Sequence, residues 1–246
     1  MTKEVPKEKR FGLEVTKKKE MDPKWLEWGE VGRAEVVGYE IGTAEEGANI
    51  DKLQKKRFME IWRPFDFIYH HSYGMVSPFF EGLLDKKLRG TRCPKCGDRF
   101  MPPRANCWRP SCKLQETEWV ELPLRGTLHT FSIMYFAGTP FLRLLPAIIG
   151  YVRVEGCNMA MVIFVKEVDP TKLQCDMPVE IKFIDEPKGD PTDIYVVPAK
   201  GWKPVEDRFS WDEEGRARIV RNLKSTKEHW DKVYGKDRPM MVEVPD

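Results

Sequence analysis

Apolar positions between residues 126 and 197 recur with a period of about two, which is the period of β-strands. Five β-rich segments lie in this region, and Gly, Pro, Asn or Asp residues separate them. They span residues 126–136, 147–154, 159–165, 179–184 and 194–197. No helical pattern interrupts them, which argues against a parallel α/β sheet. This series of short strands predicts a small Greek-key barrel of the OB type.

Three segments outside this region show the helical period of 3.6. Residues 49–63 place apolar side chains at i, i+3/i+4 intervals, and Pro64 ends the run. Residues 77–90 form a second predicted helix with Ser77 as its N-cap. Residues 214–234 form a third, amphipathic helix. Its predicted apolar face consists of Ile219, Leu223, Trp230 and Val233.

The composition is that of a globular chain. Of the 246 residues, 41% are hydrophobic and 33% are charged, so the chain can bury a core. The longest apolar stretch, residues 140–154, contains Arg143 and Arg153 and is shorter than the ~20 residues of a membrane helix. The N-terminus is charged and lacks the pattern of a secretory signal. We therefore expect a cytoplasmic protein without a membrane span.

Four of the six cysteines form two close pairs before the first barrel strand. Cys93 and Cys96 are spaced C-x₂-C and precede Gly97, whereas Cys107 and Cys112 are spaced C-x₄-C. Two such pairs present four thiolates tetrahedrally to a metal, and a cytoplasmic thiol stays reduced rather than forming a disulfide. Zinc is the predicted ion, with iron as the alternative because it uses the same ligands. Four thiolates leave no open coordination position, so the predicted site is structural.

The segment around the cysteines is basic, although the whole chain is nearly neutral. The chain has 41 Lys and Arg against 39 Asp and Glu, which does not fit a non-specific nucleic-acid coat. Residues 85–125 hold ten basic and five acidic side chains, a local charge of 10 − 5 = +5. An anionic partner is expected here, although a solvated basic loop gives the same pattern. The chain contains no nucleophile elbow, P-loop or zinc-protease motif, and we predict no catalytic residue in it.

An ordered set of motifs between residues 80 and 186 resembles the DUF35 family of OB-fold, acyl-CoA-associated proteins. The set comprises FEGLL at 80–84, RCPKCG at 92–97, MPPR at 101–104, GTLHTF at 126–131 and PAIIGYVR at 146–153. The wide C-x₄-C spacing and the long extensions at both ends depart from the family pattern. The long extensions point to a specialised subunit.

The resemblance implies a mainly β chain with helical extensions, in which a rubredoxin-like zinc ribbon precedes a five-stranded OB-fold barrel. The expected domain organisation has four parts. They are an N-terminal extension with a helix (1–76), a helix and zinc ribbon (77–122), the OB-fold barrel (123–198) and a C-terminal extension with a helix (199–246).

The resemblance also implies a function as the non-catalytic subunit of a thiolase-superfamily enzyme or a related aldolase. The catalytic Cys and His of such assemblies lie on the partner, and the DUF35 subunit helps to receive the CoA ester. We therefore expect a thiolase-type partner, structural zinc held by Cys93, Cys96, Cys107 and Cys112, and a CoA ester as a shared ligand. Arginine side chains bind phosphate well, so Arg92, Arg104 and Arg109 are the candidate contacts for CoA.

A nucleic-acid-binding module is the competing interpretation, because OB barrels and zinc ribbons also bind single strands. Such barrels place Lys and Arg beside exposed aromatic residues. Residues 126–184 contain five basic and five acidic side chains, so this segment has no net charge. The charge balance favours the subunit of an acyl-CoA enzyme.

Overall fold

The computed structural model describes residues 38–43, 57–62, 71–206, 211–238, 240–242 and 244–245. The chain divides into two units, Met1–His71 and Ser72–Asp246. In the first unit, strands β1 (Gly38–Thr43) and β2 (Arg57–Trp62) form an antiparallel pair.

The helix predicted over residues 49–63 is wrong for its second half. Residues 57–62 are strand β2, whose backbone pairs with β1 from Gly38↔Trp62 to Thr43↔Arg57. The RFMEIW sequence of β2 is rich in the aromatic and β-branched residues that favour strands, and a short apolar run does not separate the two periods. Residues 49–56 of the predicted helix lie outside the described residues.

The second unit begins with helix α1 (Ser77–Leu84) and a three-stranded antiparallel sheet in the order β4-β3-β5. The strands are β3 (Arg89–Arg92), β4 (Arg99–Phe100) and β5 (Glu118–Glu121). The sheet and its loops hold the four clustered cysteines.

Helix α1 differs from its prediction at both ends. Val76 is the N-cap, without a side-chain hydrogen bond, and the Ser77 hydroxyl donates to the Gly74 carbonyl at 2.6 Å. The helix ends at Leu84 rather than near residue 90. A hydrogen bond from the Lys87 amide to the Gly82 carbonyl, at 2.8 Å, closes the end of the helix. The helix cannot continue to residue 90, because Arg89–Arg92 pair with β5 as strand β3.

The five predicted strands form a closed barrel in the order β10-β8-β7-β6-β9, which confirms the OB-fold prediction. They are β6 (Arg125–Met134), β7 (Ala147–Val154), β8 (Ala160–Val165), β9 (Met177–Phe183) and β10 (Ile194–Pro198). Strand β10 pairs antiparallel with β9 and parallel with β8, and these pairings close the barrel.

The barrel interior and one face of α1 form a continuous core. Phe79 and Leu83 of α1 pack in the same cluster as the barrel residues. The barrel contributes Leu128, Ile148, Val152, Ile163, Val165, Val179, Ile181, Ile194 and Val196, all at most 3% exposed. Leu128 can pack in this interior only because residue 150 is a glycine. A Cβ atom at position 150 would lie 2.2 Å from Leu128 Cδ1.

Helix α2 (Glu213–Tyr234) confirms the third helical prediction. The carboxylate of Asp212 caps it by accepting from the Gly215 amide at 2.7 Å. Ile219 and Leu223 are buried as predicted, whereas Val233 is 55% exposed and does not belong to the apolar face. No helix among the described residues is long and apolar enough to cross a membrane.

The chain after α2 is attached to the segment that precedes β7. The buried Arg238 side chain forms an ion pair with Asp231, with 2.9 Å between Nε and Oδ1. Its Nη1 also donates to the carbonyls of Arg143, at 3.0 Å, and Leu145. These contacts hold the end of α2 against residues 143–145.

Candidate metal centre and neighbouring surfaces

The four cysteines of the two pairs converge at one end of the three-stranded sheet. Their sulfur atoms all lie within 4.8 Å of one another. The Sγ atoms of Cys96 and Cys107 are 3.8 Å apart. A tetrahedral zinc site with Zn–S bonds of about 2.3 Å has sulfur–sulfur edges of about 3.8 Å. The donor set and its spacing therefore fit zinc.

Backbone geometry shapes the first cysteine pair into a knuckle. The Gly97 amide donates to the Cys93 carbonyl at 2.9 Å, and the Cys93 amide donates to the Asp98 carbonyl at 2.8 Å. Gly97 has φ +78°, a conformation that glycine adopts without steric cost. Gly97 therefore forms the sharp turn that follows the first cysteine pair.

The wider second pair is closed by a 3₁₀ turn over Pro110–Cys112. The Cys112 amide donates to the Arg109 carbonyl at 2.9 Å. Lys113 and Leu114 then adopt positive φ values of 52° and 56°, which reverse the chain. The extra residues of C-x₄-C form this turn, and Cys112 still reaches the other three sulfur atoms.

The thiols occupy an environment that favours a bound cation. Cys93, Cys107 and Cys112 are at most 3% exposed, whereas Cys96 is exposed. Burial raises the pKa of the Cys107 thiol. Burial opposes ionisation of Cys93 as well, but hydrogen bonds from the backbone of Cys96 and Lys95 bring its pKa to about 7. Four thiolates at these distances require a metal charge to offset their repulsion.

A small apolar cluster joins the cysteine site to the barrel. Phe100 packs with the three buried cysteines, and Met159 of the barrel packs against them. The neighbouring Cys157 is 7% exposed, and burial raises its pKa to about 11. Cys157 is thus a neutral buried thiol, and it is outside the four-sulfur group.

The three candidate arginines do not form one cluster. Arg104 is exposed and lines an open cleft of about 490 Å³ together with Trp108 and Leu114. Arg109 instead donates to the Asp98 carboxylate, and this hydrogen bond lowers the pKa of Asp98. Arg92 is exposed at the end of β3 and is not part of the cleft lining.

The sequence patterns did not reveal an apolar groove on the outside of the barrel. The groove has a volume of about 410 Å³, and its lining includes Phe141, Ile149, Val162 and Phe164. Phe136, close to it in the chain, is 84% exposed. The predicted strands contain most of these residues, but only the barrel curvature and the 3₁₀ segment Thr139–Leu144 bring them together.

Comparisons with known proteins agree with this architecture. Residues 80–116 match the family model described as the ChsH2 rubredoxin-like zinc ribbon domain. Residues 119–183 match the model described as the ChsH2 C-terminal OB-fold domain. The chain therefore contains a rubredoxin-like zinc ribbon followed by an OB-fold domain.

A curated relative extends this assignment. A DUF35 domain-containing scaffold protein of Methanocaldococcus jannaschii is 29% identical over 123 residues, which cover 49% of this chain and 83% of the relative. The two family-model matches and this similarity to a DUF35 scaffold protein confirm the resemblance of the chain's motifs to the DUF35 family.

Two solved structures are similar to about half of the chain. One is described as the Ltp2-ChsH2(DUF35) aldolase, with 22% identity, a TM-score of 0.43 and coverage of 53% of this chain and 99% of that chain. The other is a DUF35 protein of unknown function from Sulfolobus solfataricus, with 19% identity, a TM-score of 0.38 and coverage of 53% and 89%.

Proposed function

We propose that this chain is the non-catalytic, zinc-containing subunit of a thiolase-type acyl-CoA complex, which makes or cleaves a carbon–carbon bond in a CoA ester. The observation that carries this proposal is the four-cysteine ribbon joined to an OB barrel, the domain pair of the ChsH2 models. The scaffold description of the archaeal relative supports a role in assembly. The subunit contributes to CoA-ester binding and to the integrity of the complex.

Cys93, Cys96, Cys107 and Cys112 are the zinc ligands of this proposal. Four sulfur ligands complete a tetrahedral shell, so the ion supplies folding free energy and no position for water or substrate. The ribbon is small, and its own buried apolar residues are few. Zinc binding therefore maintains the surface that Arg104 and Trp108 form beside the metal site.

Arg92, Arg104 and Arg109 are the residues proposed to contact the CoA phosphates. Arg104 is the strongest candidate, because it lines an open cleft and no ion pair to a described residue neutralises it. Arg109 contributes less, since Asp98 already pairs with its guanidinium. The partner subunit would complete the pocket, as the cleft is open on one side.

The most specific form of the proposal is the small subunit of benzoylsuccinyl-CoA thiolase in anaerobic toluene degradation. It rests on the long extensions that flank the DUF35-type domains. Acetoacetyl-CoA thiolase scaffolds and steroid side-chain aldolases are the other complexes of this type. The substrate assay of the isolated complex with benzoylsuccinyl-CoA and CoA distinguishes among them.

Purification of the tagged full-length chain from its native cells tests the proposal. We expect one zinc ion per chain and a co-purifying thiolase-type subunit, identified by mass spectrometry, and no turnover by the isolated chain. Zinc with bound nucleic acid and no enzyme partner would reject the proposal in favour of a nucleic-acid-binding module.

A further inference from the structure

The solvent-facing side of helix α2 carries a set of basic residues. Between Glu214 and Glu228 the helix contains five basic residues and no acidic residue. They are Arg216, Arg218, Arg221, Lys224 and Lys227. Lys227 forms an ion pair with Asp231 at 2.5 Å. The other four side chains are exposed, and none of them forms an ion pair with an acidic residue in the part of the chain that the structure describes.

These cations surround the side of α2 that faces away from the core. At 3.6 residues per turn, the five positions span about 200° of the helix circumference and about three turns of its length. The buried residues Gly215, Ile219 and Leu223 lie on the opposite side. We name the surface of Arg216, Arg218, Arg221 and Lys224 the basic face of α2.

The positive charge of the basic face is a local excess, since the whole chain has a net charge of only +2. Like charges three or four residues apart destabilise an isolated helix. Arg218, Arg221 and Lys224 are spaced in this way. The acidic residues Glu213 and Glu214 lie in the first turn, where the helix dipole favours them, and Glu228 follows Lys224 by four residues. None of these three carboxylates forms an ion pair with the four cations of the basic face.

We propose that the basic face of α2 docks onto an acidic protein surface of the catalytic subunit, an inference that rests on the proposed function. Guanidinium groups pair with carboxylates through two parallel hydrogen bonds, and the face presents three of them within three turns. Positive and negative surfaces that match in this way raise the rate of association and set the orientation of the partners.

The positions of the aromatic residues favour a protein partner over a nucleic acid, because these residues do not lie among the exposed cations of α2. Single strands bind where bases stack on aromatic side chains among the cations. No aromatic side chain lies between the four cations on α2 itself. Trp211 and Phe131 lie beside Arg218, but both are half-buried and pack edge-to-face on each other at 6.2 Å, so their rings are not open for stacking with bases. Trp230 and Tyr234 lie at the far end of the helix and stack on each other at 5.7 Å, and Arg143 covers the Tyr234 ring.

Charge reversal of two residues tests this docking surface in the full-length chain. The variant is Arg221→Glu/Lys224→Glu, since neither side chain makes a hydrogen bond or an ion pair with a described residue. The matched control is Lys200→Glu/Lys203→Glu, which changes the same charge at two exposed positions outside α2. Circular dichroism and thermal unfolding of both variants check that α2 still forms.

Binding of each variant to the thiolase-type subunit recovered from the native complex is measured from low ionic strength to about 0.15 M. We expect the α2 variant to bind at least about tenfold more weakly at low ionic strength, mainly through slower association, and to lose most of the salt dependence. The control should retain the affinity and salt dependence of the wild type.

Three outcomes would overturn the inference. Equal binding of the wild type and the α2 variant rejects the docking surface while the proposed function stands. If the wild-type chain retains no thiolase-type subunit, both proposals fail. If the α2 variant loses binding to a single-stranded oligo-dT probe but keeps the thiolase-type subunit, the basic face belongs to a nucleic acid.

Discussion

Arg99 of the cysteine-bearing sheet and Cys157 of the barrel form a parallel β-bridge. The Asn158 amide strengthens the junction by donating to the Arg99 carbonyl at 3.1 Å. Cys157 is 7% exposed and belongs to the main core cluster. Backbone hydrogen bonding therefore joins the sheet of the metal site to the turn between β7 and β8. Unfolding of the ribbon would remove this bridge from the barrel.

Loss of one cysteine of the cluster should remove the metal. We expect Cys93→Ser and Cys112→Ser each to lose zinc and to unfold the ribbon, because the remaining three thiolates no longer complete a tetrahedral site. Metal analysis and thermal unfolding measure the effect. Cys175→Ser is the control, since Cys175 lies outside the four-sulfur group. Unchanged zinc content in the cluster variants would refute the closed site.

Replacement of Arg104 should weaken the binding of CoA esters. In the assembled complex we expect Arg104→Ala to raise the dissociation constant for a CoA ester by about tenfold, the effect of one charge-assisted phosphate contact. Arg109→Ala should have a smaller effect because Asp98 already binds this guanidinium. Arg153→Ala, on the exposed side of β7, is the control. Isothermal titration checks these values, and equal affinities for all variants would remove Arg104 from the site.

Acid should destabilise the end of helix α2 through Asp231. Hydrogen bonds from Lys227, and next from Arg238, hold the pKa of this carboxyl below its usual range. Because its pKa is lower in the folded state, the ionised Asp231 carboxylate stabilises the fold fully at pH values above its usual pKa of about 4. This contribution to stability is lost as the pH falls through the folded-state pKa.

Asp231→Asn should therefore reduce stability at neutral pH and flatten the decline in stability below about pH 4. Chemical denaturation across this pH range measures both effects. Ser225→Asn changes an exposed residue of the same helix and should leave the curve as in the wild type. A steep acid decline that persists unchanged in Asp231→Asn would assign the pH dependence to other groups.

A methyl group at Gly150 should crowd the barrel interior. An added Cβ atom would lie 2.2 Å from Leu128 Cδ1 and 3.1 Å from Val165 Cγ2, and both neighbours are fully buried. We expect Gly150→Ala to cost about 1–3 kcal/mol in the free energy of unfolding. In a double-mutant cycle, Leu128→Val should recover part of this cost because it shortens the crowded side chain. Strictly additive effects would show that the two residues do not conflict.

Local sequence determined much of the fold. The period of two defines the five barrel strands to within two residues at each end. The period of 3.6 likewise defines α2. The cysteine spacing identifies the four residues that converge, because a knuckle is a short-range structure. These features depend on residues that are close together in the chain, so the sequence alone reveals them.

Only the tertiary structure decided the features that depend on distant residues. Residues 57–62 form a strand because β1 pairs with them, and α1 ends early because β3 pairs with β5. The pairing of Arg109 with Asp98 and the exposure of the basic face of α2 also depend on where the folded chain places each charge. A local pattern records the preference of a segment, whereas the pairing of strands and charges depends on the neighbours that folding supplies.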